Sequence, residues 1–528
     1  MHSSSAPDTL WTTVNVSEAL PGVATPLGWS VWGPALDGGV RGTFEAFGVL
    51  TPHEAAGPHG EHDRLISIFY GRAALRADFM LEMGERLPGT SGADVARSLF
   101  DAVPPGYVGR PTRRYYPKAA TRIPWNMLRS PRMIRAIRAD TEPWWRSQTA
   151  AIPTASGEAA RVMFCAAVDR FVHIMFLHSL VTFAIVQPSH DQLAALIGAA
   201  KSGTGLLSGG ADHEETRLVQ DLWACSRGQL ELSEFVARHG FHGPNEGDIT
   251  GRVWREDPAP LVRMLQSYSA LEADDSPSVR EARFEAERQR EETALLNSLS
   301  GLRKVKARAL LRYARRGVAL RGVGKVAFLQ SLDVARASAR RLGATLHAEG
   351  VFADPDDVFF HTVEEIRAGR WQDRETVADR RRERERYLRL AELPVHWTGM
   401  PDEVAAAGPS ALVETLEGVG ASAGVVEGRV RVVSDPGDIA LEPGEILVAR
   451  TTDPSWAAIM YLSEGLVMDV GGMLSHAAIV ARELGVPCVA NTKIGTQVLR
   501  TGDLIRVDGG AGRVEVLERV GEHITVAD

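Results

Sequence analysis

Cysteine is nearly absent: Cys165, Cys225 and Cys488 are the only three among 528 residues. Three thiols cannot build a disulfide framework, so a reducing compartment is implied and a cytoplasmic protein is expected. A basic excess is lacking too. Lysine and arginine total 59 against 67 acidic residues, a net charge of −8, which argues against a nucleic-acid partner. Lysine itself occurs six times, arginine supplying nearly all the positive charge. Residues 1–9 are polar and show no apolar core of a leader, so no secretory signal is expected. The most apolar run, residues 171–187, is short for a membrane span and carries His173 and His178. It predicts a buried core helix with hydrogen-bonded histidines and no membrane partner. No Walker A pattern exists, since Gly324-Lys325 is followed by Val326, and no G-x-G-x-x-G follows a strand. The chain is therefore expected to bind no cofactor tightly by itself. His239, His242 and Glu246 stand in a stretch with Gly240, Gly243 and Pro244, with no further ligand clustered near, so no metal site is expected.

What is present is an ordinary globular composition, 44% apolar and 24% charged. The pattern changes near residue 410. Helical periodicity dominates before it, over 94–102, 161–186, 190–200, 279–319 and 325–348. Short β-branched runs punctuated by glycine follow, over 424–433, 446–449, 465–468, 488–490, 504–507 and 514–517. Charge divides likewise: residues 411–528 hold 9 basic and 17 acidic residues, while the first 410 sum to zero. The expected fold is multidomain α+β. A large, mainly helical acceptor-binding domain (1–410) precedes a small β/β/α domain (411–528), with a joint at 398–412. Gly420-Ala421-Ser422-Ala423-Gly424 matches G-x-S-x-G, but the residues after it read as strand rather than helix, so it predicts no nucleophile.

The informative segment is 465–492. A strand is followed by Gly471-Gly472, which allow a tight turn, then by Ser475 as N-cap and a helix over 476–484. Gly485 and Pro487 end that helix. His476 thus stands at a helix N-terminus, where unpaired N–H groups and the helix dipole favour an anion. A neutral imidazole there is a competent nucleophile towards phosphorus.

The run from Gly471 to Pro487 resembles the phosphohistidine motif of the swivelling domain shared by phosphoenolpyruvate synthases, pyruvate phosphate dikinases and rifampin phosphotransferases. Gly444 to Ala449, Thr452-Asp453-Pro454-x-Trp456, Gly502-Asp503 and Asp508-Gly509-Gly510 extend the resemblance over 420–517. Scattered pieces of the first 400 residues, among them Tyr70-Gly71-Arg72, Gly243-Pro244-Asn245-Glu246 and Trp254 to Pro258, resemble the acceptor-binding part of rifampin phosphotransferase-like proteins. Three positions depart from the family. Gly240-Phe241-His242-Gly243 stands where Gly-His-Arg-Gly is usual, Arg321-Gly322 where Arg-Glu is frequent, and Leu474 where dikinases carry a regulatory threonine.

The resemblance implies a phosphotransferase subunit. His476 would receive a phosphoryl group from a separate ATP-binding subunit that brings ATP and Mg2+, ATP being split to AMP and phosphate. A swinging domain would then deliver it to a hydroxyl of a small molecule, as a final step or ahead of elimination. Neither the ATP-binding domain nor the phosphoenolpyruvate-binding barrel is expected in this chain. Gly471, Gly472, Ser475 and Ala477 would bind the phosphoryl group. His242 and Glu246 are the candidate acid–base residues for the acceptor, with Phe241, Trp254 and Arg321 binding substrate. Trp11, Trp29 and Trp32 add to an apolar stock that suits a hydrophobic acceptor. His476 is expected to be solvent-accessible, and the small domain to meet its neighbour through a modest, polar contact. The alternatives are an ATP-independent lyase, dehydratase or cyclase on the same scaffold, using His242 and Glu246, and a non-catalytic partner protein.

Overall fold

The structure, a computed structural model, describes residues 2–14, 16–20, 22–57, 63–100, 107–189, 214–404, 413–433, 444–452, 456–472 and 475–520, with positions 60, 103, 192, 441 and 442. The helices used below are α1 (Pro26–Phe47), α2 (Tyr116–Ala151), α3 (Gly157–Val181), α4 (Glu214–Ser226), α5 (Leu232–His239), α6 (Ala259–Ala270), α7 (Pro277–Ser298), α8 (Gly301–Ala348), α9 (Ala457–Leu462) and α10 (His476–Leu484). The chain forms two compact units. The first comprises residues 1–188, 247–251 and 320–406; the second comprises 189–246, 252–319 and 407–528.

The first unit is mainly helical. Its centre is α3, whose Phe164, Ala167, Phe171, Ile174 and Val181 are wholly buried at the three-and-four spacing of one helix face. α1 lies close against it because Gly39 and Gly42 leave room. A Cβ on Gly39 would meet the Met175 carbonyl oxygen at 3.2 Å, and one on Gly42 the Phe176 ring at 3.0 Å. Residues 157–189 are long and apolar enough to cross a membrane by length and composition; here they pack in a core, as expected. The histidines differ from expectation. His173 is exposed, being on the outer side of α3. His178 is partly buried, yet its Nδ1 has no hydrogen-bond partner. A small antiparallel sheet, in the order β2-β3-β1-β4, joins β1 (Leu10–Thr12), β2 (Ile66–Phe69), β3 (Arg72–Arg76) and β4 (His396–Thr398). No local pattern announces it, since these strands are three to five residues long and mostly far apart in the chain.

The second unit holds an eight-stranded sheet of β5 (Thr415–Glu417), β6 (Val419–Ser422), β7 (Val425–Val433), β8 (Glu445–Ala449), β9 (Gly465–Met468), β10 (Cys488–Ala490), β11 (Leu504–Asp508) and β12 (Arg513–Glu518). Its order is β5-β12-β11-β7-β8-β9-β10-β6. The strands β7, β8, β9 and β10 run parallel, and the flanking pairs are antiparallel. Alternation sorts the side chains into two cores. Ile446, Val448, Val467 and Val489 join Ile505, Val507 and Val514 on one face. Leu447, Ala449, Leu466, Met468, Cys488 and Ala490 point to the other, under α9 and α10.

That second core does not stop at the small domain. Leu218, Val219 and Leu222 of α4, Phe235 of α5 and Leu261, Met264 and Tyr268 of α6 are buried in it. The Tyr268 hydroxyl donates to the Ala458 carbonyl at 2.9 Å, and its ring stacks on Tyr461 at 5.7 Å. All six residues of α9 are buried. The compact units therefore cut across the expected division at 410: helices from 214 to 319 go with the sheet because its helical face is apolar and needs covering. The expected modest, polar contact gives way here to an apolar one. Most of the expected joint, residues 405–412, lies outside the described residues, as does the helical pattern at 193–200.

Candidate functional site

Three local events place His476. Parallel pairing of β8 with β9 brings Ala449 opposite Met468, so the segments leaving both strands run side by side. The ladder continues past the strand ends, with Asp469 N–H donating to Ala449 O at 3.1 Å and Val470 N–H to Arg450 O at 2.9 Å. The chain then turns at Gly471, whose φ of +134° suits glycine. Ser475 caps α10, its N–H donating to Gly472 O at 3.0 Å and its hydroxyl accepting from Ala478 N–H at 3.3 Å. Gly485, at φ +65°, ends the helix in the left-handed conformation. His476 is thus the first helical residue, beyond the carboxyl ends of parallel strands, where open α/β sheets place their ligands.

The Thr452 hydroxyl lies 3.0 Å from His476 Nδ1. His476 is 8% exposed, which corrects the expected solvent-accessible residue: a side chain at the first helical position turns back over the strand ends, where Thr452 meets it. Asp469 underpins the same corner. It accepts from Thr492 Oγ1 at 3.1 Å, from Thr496 N–H at 3.1 Å and from the Thr496 hydroxyl. Burial raises its carboxyl above the usual range. Ser475 and Ala477 are buried beside His476, and Gly472 is partly exposed. Leu474, Asp453 and Pro454 lie outside the described residues.

The second cluster follows α5. His242 Nδ1 lies 2.6 Å from Glu246 Oε2, and both side chains are buried. The chain bends back between them at Asn245, with φ +53°. Trp254 N–H donates to the His242 carbonyl at 2.7 Å. The rings of Phe241 and Trp254 lie 4.3 and 5.9 Å from the imidazole. A second pair stands beside it, with His239 Nε2 2.7 Å from Asp221 Oδ2 and its ring 6.4 Å from that of His242. Burial lowers the His239 pKa. With Glu246 fixed on Nδ1, the geometry suits a His242 whose Nε2 takes up a proton.

Of the residues singled out in the sequence, His476, Gly471, Gly472, Ser475 and Ala477 come together at one corner, and His242, Glu246, Phe241 and Trp254 form a second group. Arg321 belongs to the first unit, beside His178. There burial, with the charges of Arg321 and Lys325, pushes His178 down to about 3. Trp11 and Trp32 are buried core of the first unit, Trp29 being partly exposed. Thr452, Asp469, His239 and Asp221 were missed as site residues. Thr452 alone had a signal, its place in the Thr452-Asp453-Pro454 motif. Among the described residues no group of three His, Cys, Asp or Glu side chains is arranged to hold a metal ion.

Residues 441–512 match the family described as PEP-utilising enzyme, mobile domain, and residues 191–322 match the rifampicin phosphotransferase fourth domain. A rifampicin phosphotransferase of Streptomyces sp is 30% identical over 408 residues, 73% of this chain and 45% of that protein. The rifampicin phosphotransferase of Bacillus subtilis is 29% identical over 300 residues, 54% of this chain and 34% of its own length. The prodigiosin synthesizing transferase PigC of Serratia marcescens is 30% identical over 298 residues, 54% and 33% respectively. The chain thus spans less than half the length of each of these relatives.

Proposed function

We propose, for a chain that carries the mobile domain of PEP-utilising enzymes and the fourth domain of rifampicin phosphotransferases, that it is a phosphotransferase subunit working through phosphorylated His476. The observation that carries this reading is the Thr452–His476 pair at the first turn of α10. When Nδ1–H donates to the Thr452 hydroxyl, the lone pair sits on Nε2, the nucleophile. Nε2 attacks the β-phosphorus of ATP held by a separate ATP-binding subunit, which also supplies Mg2+. The N–P bond forms as the bond from that phosphorus to the AMP oxygen breaks and AMP leaves; water then takes the terminal phosphoryl group off as inorganic phosphate, leaving one phosphoryl group on Nε2. The acceptor hydroxyl then attacks the phosphorus, the N–P bond breaks, and the hydroxyl proton passes to His242 Nε2, with Glu246 stabilising the imidazolium. Phe241 and Trp254 favour a hydrophobic acceptor. The phosphorylated product is final or goes on to lose phosphate.

The test is to mix the purified chain with a candidate ATP-binding partner and ATP labelled in its β-phosphate. Acid-labile label should appear on the wild type only with the partner, and His476→Ala should remain unlabelled. Micromolar ATP binding by the chain alone would overturn the separate subunit. His242→Ala should accept label normally yet turn over roughly a hundredfold more slowly. The buried His242–Glu246 pair also favours a second reading, an ATP-independent lyase, dehydratase or cyclase. In that case turnover would survive His476→Ala and need no ATP.

A further inference from the structure

The outward face of α2, with the loop before it, is used by nothing described above. Between residues 107 and 139 the chain carries nine basic residues and no Asp or Glu. They are Arg110, Arg113, Arg114, Lys118, Arg122, Arg129, Arg132, Arg135 and Arg138. α7, by contrast, interleaves Arg280, Arg283, Arg288 and Arg290 with Glu281, Glu285 and Glu292, while the first part of α8, residues 301–332, is also basic without Asp or Glu and exposes Leu302 and Val305, but no aromatic side chain among its large exposed hydrophobics. Among the described residues only Arg138 of the nine has a carboxylate partner, Glu142 at 2.8 Å. The others turn to neutral groups or to solvent. Arg122 donates to the Glu45 carbonyl at 3.1 Å, and Arg114 to the Tyr115 hydroxyl at 2.7 Å.

The same face exposes large apolar side chains. Trp125 is 62% exposed, Leu128 74%, and Val108 in the preceding loop 75%. Trp125 and Leu128 are three apart and therefore neighbours on the helix surface. Arg122, Arg129 and Arg132 fall at three- or four-residue steps from them. The opposite side of α2 is already spent, with Ala119, Asn126, Ser130, Ile134, Thr141 and Trp145 buried.

We propose that this face docks on an anionic lipid surface, with Trp125 and Leu128 entering the headgroup layer and the arginines meeting lipid phosphates. Unpaired Arg and Lys around exposed Trp and Leu form the composition of a helix that lies on a membrane rather than one that crosses it. Tryptophan, with an apolar body and a polar N–H, suits that depth. Nucleic acid would use the cations but has no place for exposed Leu128 and Val108, and the chain as a whole is acidic. Pro124 and Pro131 lack the N–H that a helix interior needs, leaving carbonyls for headgroup water to satisfy. A membrane-docked enzyme would meet a hydrophobic acceptor where it partitions. The docking itself stands apart from the phosphotransfer reading, since neither His476 nor ATP enters its test.

The experiment is flotation of the full chain with vesicles of phosphatidylcholine alone and with about one part in three phosphatidylglycerol. Binding is expected to the anionic vesicles only and to weaken as salt rises. Trp125→Ala with Leu128→Ala, and separately Arg129→Glu with Arg132→Glu, should each weaken it by at least about tenfold. These side chains are exposed or on the outer face, so the fold should survive, and circular dichroism checks this. The control places the same reversals on α7, where both signs are mixed, as Arg283→Glu with Arg290→Glu at exposed positions, and should leave binding unchanged. No binding to anionic vesicles overturns the proposal. So does equal weakening by the α7 control, or a loss of vesicle binding to competing duplex DNA that the Trp125 and Leu128 substitutions do not affect, because either shows attraction to any polyanion.

Discussion

In the proposed phosphotransfer, Thr452 selects the nitrogen of His476 that attacks, so the loss of its hydroxyl, 3.0 Å from Nδ1, has a cost that can be measured. Thr452→Val keeps the shape and removes the hydrogen bond. Transfer of label to His476 should fall about fivefold, as for the loss of one hydrogen bond of roughly 1 kcal/mol, and Thr452→Ser should restore it. An unchanged labelling rate would mean that the pair merely fills space. His178 makes a prediction about acid. Its pKa is pushed from 6.5 to about 3 by burial and by Arg321 and Lys325. The unfolded chain therefore binds a proton more readily than the native one between those values. This contribution to stability is complete above pH 6.5 and is lost as pH falls towards 3, at up to about 1.4 kcal/mol per pH unit. Urea midpoints at pH 7 and pH 5 should lie closer together in His178→Leu than in the wild type. Such residues were only partly legible in the sequence. His476 and Ser475 announce themselves through local spacing, whereas Thr452 is brought to the histidine by strand pairing, and His239 by Asp221, 18 residues away.

Among elements, the strand–turn–helix–strand unit from β9 to β10 was the most readable. The strands at 465–468 and 488–490 and the helix at 476–484 fall where alternation, N-cap and C-terminal glycine put them. Each boundary rests on a residue whose preference is local. Gly485 sits at φ +65°, so Gly485→Ala should cost about 1 kcal/mol. Ser475→Ala should cost about as much through the lost cap. Thermal melts should show both as drops of a few degrees; no drop for Ser475→Ala would mean that the cap is replaced by water. The sheet of β1 to β4 shows the other limit. Leu10–Thr12 pairs with His396–Thr398 across almost the whole first unit, and no window of local sequence carries that information. The helical patterns at 279–319 and 325–348 fall together on α7 and α8. The sequence broke the pattern near Gly322-Val323-Gly324, but the structure breaks it earlier, at Leu299-Ser300, and runs helix through the glycines.

At the scale of the molecule, change of composition misled where burial did not. The shift near residue 410 marks the start of strands, yet the compact unit is completed by helices from the other side of that boundary. Leu222→Ala in α4 removes a fully buried side chain facing the sheet's helical side and should cost about 2–5 kcal/mol. Hydrogen exchange should then quicken in α4, α6, α9 and α10 together; quickening confined to α4 would show that the two parts unfold independently. The covering of α9 also governs how the protein can be divided. A piece cut to residues 413–520 would carry Ala457, Met460, Tyr461 and Leu484 uncovered to the outside. It should cling to itself and leave solution, and a binding measurement made on it would report that stickiness rather than biology. A piece that joins residues 214–319 to 413–520 would bring its own lid, whereas one simply begun at residue 214 would also carry 320–404 torn from the core of the first unit.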